Sequence, residues 1–138
     1  MRLIFILTIF ATFIFASKIE WVYSLNEAIN LAKKENKNIM VFVYANGCAY
    51  CEKMKNETLY NKDVARNLNK DFINVALKID SKEIRENFPQ TSVTPTIYFI
   101  TPNKELLTKV IGYQTLELFF WDLGDVDRAL EKLKKGNR

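Results

Sequence analysis

The stretch Ile39-Met40-Val41-Phe42-Val43-Tyr44 contains no charged side chain and nothing that breaks a strand. It is too short for an ordinary helix and rich in β-branched and aromatic residues, so it predicts a strand. Both of its faces are apolar. Such a strand must be covered twice, which places it inside a sheet with helices on either side. The run ends abruptly at Ala45-Asn46-Gly47, a turn signal, and Cys48 follows at once.

The flanking segments fit that frame. Ser24-Leu25-Asn26-Glu27 reads as a capping box, in which the Ser hydroxyl and the Glu carboxylate satisfy the first amides of a helix. Leu25, Ala28, Ile29, Leu31 and Ala32 then share one helical face, and the helix is expected to stop near Asn36-Lys37-Asn38. After Cys48, a helix is predicted from Ala49 to about Leu59. A shorter one is predicted through Val64, Ala65 and Leu68, capped by Asn61 or Asp63. Residues 72–79 predict a second strand, 81–88 a short helix and 89–94 a loop. Residues 96–100 and 106–111 are strands joined by so short a turn that they must form an antiparallel hairpin. Gly112 ends the hairpin. Residues 116–135 predict a terminal helix that turns Leu116, Phe119, Phe120, Leu123, Val126, Leu130 and Leu133 to the sheet, with Gly124 as a weak point where a kink is expected. Trp21, Met54 and Trp121 are read as core with them. The order is that of an α/β domain over residues 17–138, with a central mixed sheet of about four to five strands and helices on both faces.

Composition excludes several functions. The chain has 138 residues, enough for one domain with a real core. Its formal charge of +4 is spread among acids, as in Lys33-Lys34-Glu35, rather than gathered in the stripe that nucleic acid requires. There is no histidine. Ser-His and Cys-His catalysis and every His-containing metal site are therefore excluded. The start has the order of a secretory signal: Met1-Arg2 is positive, Leu3 to Phe15 is almost wholly apolar, and Ala16-Ser17 is small. We expect residues 1–16 to be a signal peptide and the protein to be periplasmic, an uncleaved anchor being the alternative.

Export sets the context for the cysteines, of which there are only two. Exported chains meet conditions in which disulfides persist. A bridge between Cys48 and Cys51 closes too small a loop to staple distant segments, so its use is chemical. Cys48 lies where a buried strand meets a helix N-terminus. Unpaired amides and the helix dipole there favour a thiolate, the species that attacks disulfides. Cys51, one turn further on, can resolve the mixed disulfide that results. Cys48 is thus the expected nucleophile and Cys51 the resolving thiol. A zinc site would need further ligands, from carboxylates or a second chain, that this sequence does not set beside the pair. We expect no metal and no cofactor beyond the Cys48–Cys51 disulfide.

The strand feeding Cys48-Ala49-Tyr50-Cys51, the segment Val93-Thr94-Pro95-Thr96 before the third strand, and the closing hairpin and helix together resemble the thioredoxin superfamily over about Trp21 to Leu133. Glu27-Ala28, Lys37 and Asn61-Lys62-Asp63-Val64 look like its exported branch, which includes the C-terminal domain of bacterial transmembrane disulfide reductases. The resemblance implies a thioredoxin fold and a cis Thr94–Pro95 bond that turns Thr94 to the dithiol. Thr94, Pro95, Tyr50, Ala49 and Gly47 would then contact substrate. Two departures stand out. Phe42 occupies the place of a buried Asp that serves the dithiol in thioredoxin, leaving water, a more distant group such as Glu52 or Glu57, or the substrate to manage the Cys51 proton. The pair between the cysteines is neutral, which implies a reducing or intermediate potential. The expected activity is thiol–disulfide exchange, reducing disulfides of exported proteins with electrons from a membrane reductase, by a monomer. The alternatives are an oxidase or isomerase of the same fold, or a binding or chaperone module whose dithiol is incidental.

Overall fold

The computed structural model describes residues 18–136, so the signal segment expected at 1–16 lies outside the described residues. The expected strand is central. β2 (Asn38–Tyr44) lies between β3 (Phe72–Lys78), which runs parallel to it, and β4 (Thr96–Ile100), which runs antiparallel. β5 (Leu106–Ile111) extends the sheet beside β4, and a short β1 (Trp21–Val22) extends it beside β3, giving the order β1-β3-β2-β4-β5. The two-residue β1 has no period to read in the sequence and was not expected. Asn69 fastens the segment before it: its amide donates to Lys18 O at 2.7 Å, and its side-chain oxygen accepts from Glu20 N at 2.9 Å.

Alternation along the strands splits the core in two. Met40, Phe42, Ile97 and Phe99 face α2 (Ala49–Lys53), α3 (Lys62–Asp71) and α5 (Leu116–Gly136). Ile39, Val41, Val43, Val75 and Ile100 face α1 (Leu25–Glu35) and α4 (Lys82–Asn87). All five interior residues of β2 are fully buried, which is why neither face of the run could carry a polar residue. Each large side chain buried this way contributes about 1.5–3 kcal/mol.

Several local expectations are refined. Ser24 Oγ accepts from Glu27 N–H at 3.5 Å, but it is Glu83, from α4, that accepts from Leu25 N–H at 2.7 Å and from the Ser24 hydroxyl at 3.3 Å. The N-terminus of α1 is thus closed from another helix rather than by Glu27. Asn61, not Asp63, caps α3. The helix after Cys48 is not uniform: α2 passes at Met54 into a π-helix, Met54–Leu59. α5 runs unbroken through Gly124. Phe120 and Trp121 are not core. Phe119 and Val126 are buried, whereas Trp121 is 65% exposed and Phe120 39%. Consecutive aromatics at 119–121 span too wide an arc for one helix face, and only Phe119 points at the sheet. Trp21 is half-buried, its ring 5.8 Å from that of Phe42.

Candidate active site

β2 delivers the chain to the end of the sheet, and Gly47 makes the turn there with φ +70, a left-handed conformation that glycine adopts without steric cost. Cys48 follows as the N-cap of α2, half-buried, with its Sγ accepting from Cys51 N–H at 3.1 Å. Cys51 is fully buried in the core cluster that contains Phe42 and Met54. The two sulfurs are joined in a disulfide, with Cα atoms 5.2 Å apart. One sulfur therefore sits at a helix N-terminus within reach of solvent, and the other beneath it in an apolar shell.

The loop before β4 comes to the same place. The Thr94–Pro95 peptide bond is cis. Thr94 Oγ1 donates to Cys48 Sγ at 3.3 Å, and Pro95 is buried beside it. Cys48 Sγ thus has two donors aimed at it, one from the helix backbone and one from Thr94. Ala49 and Gly47 are exposed at the rim, and Tyr50 is 63% exposed. Gly47, Ala49 and Tyr50 thus flank Cys48 along the chain, and Thr94 meets it from the loop before β4.

Glu52 and Glu57 are turned away from the buried Cys51. Glu52 pairs with Lys55 at 2.9 Å on the outer face of the helix. Glu57 accepts from the Tyr113 hydroxyl at 2.6 Å and lies 4.0 Å from Lys53. Both carboxylates lie on the solvent side, because helical spacing turns them away from the face that buries Cys51. Tyr113 is a site neighbour that sequence reading missed. Its ring centre is 6.5 Å from that of Tyr50, and Lys53 Nζ lies 4.6 Å above it. Its phenol is held above the usual tyrosine range, first by the hydrogen bond to Glu57, then by desolvation and the Glu57 charge. A signal for it existed in the hairpin register. Thr96 pairs with Ile111, so Gly112 lies opposite Pro95 and its N–H donates to Pro95 O at 2.8 Å. The next residue, Tyr113, is thereby brought to the dithiol. The π-helix grips the same loop, with Thr58 Oγ1 donating to Gln114 O at 2.6 Å and Gln114 N–H reaching Met54 Sδ at 3.4 Å.

Residues 25–126 match the family model described as a thioredoxin-like domain. The chain belongs to that family. Of solved structures, a thioredoxin from Thermus thermophilus superposes with a TM-score of 0.70 at 26% identity, covering 79% of this chain and 87% of that one. A putative disulphide-isomerase from Bacteroides thetaiotaomicron gives 0.68 at 22% identity, covering 84% and 96%. The DsbH oxidoreductase gives 0.64 at 18%, covering 86% and 88%. Among curated relatives, mouse anterior gradient protein 3 is 26% identical over 87% of this chain and 72% of its own length. With this fold and its Cys48–Cys51 pair, the thioredoxin-like chain is a thiol–disulfide oxidoreductase. Among the described residues, no group of three or more His, Cys, Asp or Glu side chains is placed to hold a metal ion. No helix among them is long and apolar enough to cross a membrane.

Proposed function

We propose that the protein reduces disulfides in exported proteins, with Cys48 as the attacking and Cys51 as the resolving sulfur. The observation that carries this is the unequal placement of the pair: Cys48 is reachable and faces two hydrogen-bond donors, while Cys51 is buried directly behind it. In the reduced protein, Cys48 thiolate attacks one sulfur of a substrate disulfide. That S–S bond breaks, and the displaced sulfur leaves as a thiolate that takes a proton. Cys51, deprotonated, then attacks Cys48 Sγ and releases the second substrate thiolate. The substrate gains two electrons, and the protein is left with the Cys48–Cys51 disulfide seen here. A dithiol on a membrane reductase returns the pair to the reduced state. Gly47, Ala49, Tyr50 and Thr94 form the surface on which the substrate segment lies, with the buried Pro95 setting the course of the backbone at Thr94. The backbone around Thr94 pairs with it as a short added strand.

The reducing direction is supported by what stabilises the Cys48 thiolate. Both donors are neutral, Ala49-Tyr50 adds no charge, and there is no histidine between the cysteines. The exported location rests on the signal-like order of residues 1–16. Turnover of a disulfide-bonded protein with dithiothreitol as donor tests the mechanism. Cys48→Ser is expected to abolish it, and prereduced Cys51→Ser, mixed with substrate after the dithiothreitol is removed, to stall within its first cycle as a covalent mixed disulfide on Cys48. Binding of a client with full affinity by Cys48→Ser, alongside unchanged biological activity, would instead identify a binding module. Cell fractionation with N-terminal sequencing of the mature chain tests export.

A further inference from the structure

A groove of about 320 Å³ opens on the sheet face that carries α1 and α4, between the loop after α4 and the β4–β5 hairpin. Its floor is apolar, made by Phe88, Tyr98, Ile100 and Leu106. This floor is held in place. The Phe88 and Tyr98 rings stack with centres 4.5 Å apart, and the Thr91 hydroxyl shares a 2.6 Å hydrogen bond with the Tyr98 hydroxyl. The two charged residues of the lining are Lys104 and Lys109, and no carboxylate lines the groove. Among the described residues neither lysine is in an ion pair. Lys104 Nζ donates to Asn87 Oδ1 at 2.8 Å, and Lys109 Nζ stands 5.3 Å from the centre of the Tyr98 ring.

Two cations over an apolar concavity with no anion are the complement of an amphiphilic anion. The volume lies at the small end of ligand sites, which run from about 300 to 1,000 Å³. It therefore suits a single chain or ring rather than a two-chain lipid. We propose that this groove binds a small amphiphilic carboxylate, such as a medium-chain fatty acid or an arylalkanoic acid. Its apolar body lies on Phe88 and Tyr98, and its carboxylate lies between Lys104 and Lys109. The site is separate from the dithiol. Tyr98 and Ile100 belong to the face covered by α1 and α4, whereas Cys48 and Cys51 pack on the opposite face, and along β4 the lining begins at Tyr98, roughly 7 Å beyond Thr96 at about 3.3 Å per residue. A bound ligand leaves Cys48 open.

The test is titration of the isotope-labelled protein with decanoate, below its micelle concentration, followed by amide chemical shifts. Decyltrimethylammonium serves as the matched cation. Saturable shifts centred on Gln90, Tyr98, Leu106 and Lys109 are expected with decanoate and not with the cation. Replacing both lysines, Lys104→Glu with Lys109→Glu, should weaken binding at least tenfold. The milder Lys104→Gln with Lys109→Gln should weaken it less, with the spectrum otherwise retained. No saturable shift, equal binding of the cation, shifts centred on another surface, or unchanged affinity in both lysine variants would each overturn the proposal. Binding is expected to be the same whether the dithiol is oxidised or reduced, so the result is independent of the redox reading.

Discussion

Cys48 and Cys51 are chemically identical and three residues apart, yet one meets solvent and two donors while the other is enclosed by Phe42 and Met54. Where thioredoxin keeps a buried acid, this chain has the Phe42 ring, and among the described residues no carboxylate belongs to the core cluster around Cys51. Two other side chains give residue-scale predictions. Asp122, on α5, has a buried Oδ2 with no hydrogen-bond partner among the described residues. Its carboxyl is pushed above the usual range by burial first and by the neighbouring Asp125 charge second. The folded protein therefore holds the Asp122 proton more readily than the unfolded chain does. Stability from this group is greatest below the ordinary carboxylate value and falls as pH rises through the window above it. Asp122→Asn is expected to raise the denaturation midpoint at neutral pH and to flatten that fall. Urea melts of both proteins across about pH 4 to 7 check it, and an unchanged or lower midpoint at neutral pH would count against it. At the rim of the site, Glu57→Gln should move the Tyr113 phenol down towards its ordinary value, read by ultraviolet titration, because the hydrogen bond and the charge that raise it both come from Glu57.

At the scale of elements, legibility followed periodicity. β2 announced itself because burial on both faces leaves no room for a polar residue, and α1 and α3 announced themselves through caps and an apolar stripe. Asn61 accepts from Asp63 N–H at 2.9 Å and from Val64 N–H at 3.3 Å. Asn61→Ala is therefore expected to cost ~1 kcal/mol, seen as a lower urea midpoint at unchanged slope. The π-helix was not legible. Its wide turn, marked by Tyr60 N–H reaching back to Lys55 O at 2.8 Å, follows from the fit between Met54, Thr58 and Gln114, and Gln114 is distant in sequence. β1 was missed for a related reason. Two residues carry no pattern, and they form a strand only because β3 offers a free edge and Asn69 holds the chain beside it. The exposed Trp121 is the opposite case: aromatic residues at helical spacing predict a core face, but residues 119–121 are consecutive and only Phe119 falls on it.

At the scale of the molecule, the site is a product of topology. β2 and β4 run antiparallel, so the end of one and the start of the other lie together, and Cys48 meets Thr94 without any loop reaching far. The hairpin then returns Tyr113 to the same end. This convergence explains why Cys48, Cys51, Thr94 and Pro95 are easier to name from the sequence than Tyr113. The first four sit in local motifs, whereas Tyr113 depends on a register between two strands. The central claim is that this constellation, with neutral donors and no buried acid, makes a reductant. It is tested most directly by the reduction potential of the Cys48–Cys51 couple, measured by equilibration with glutathione buffers. The account predicts a value near that of thioredoxin, about −270 mV. A value near about −120 mV, that of a strong disulfide donor, would contradict it.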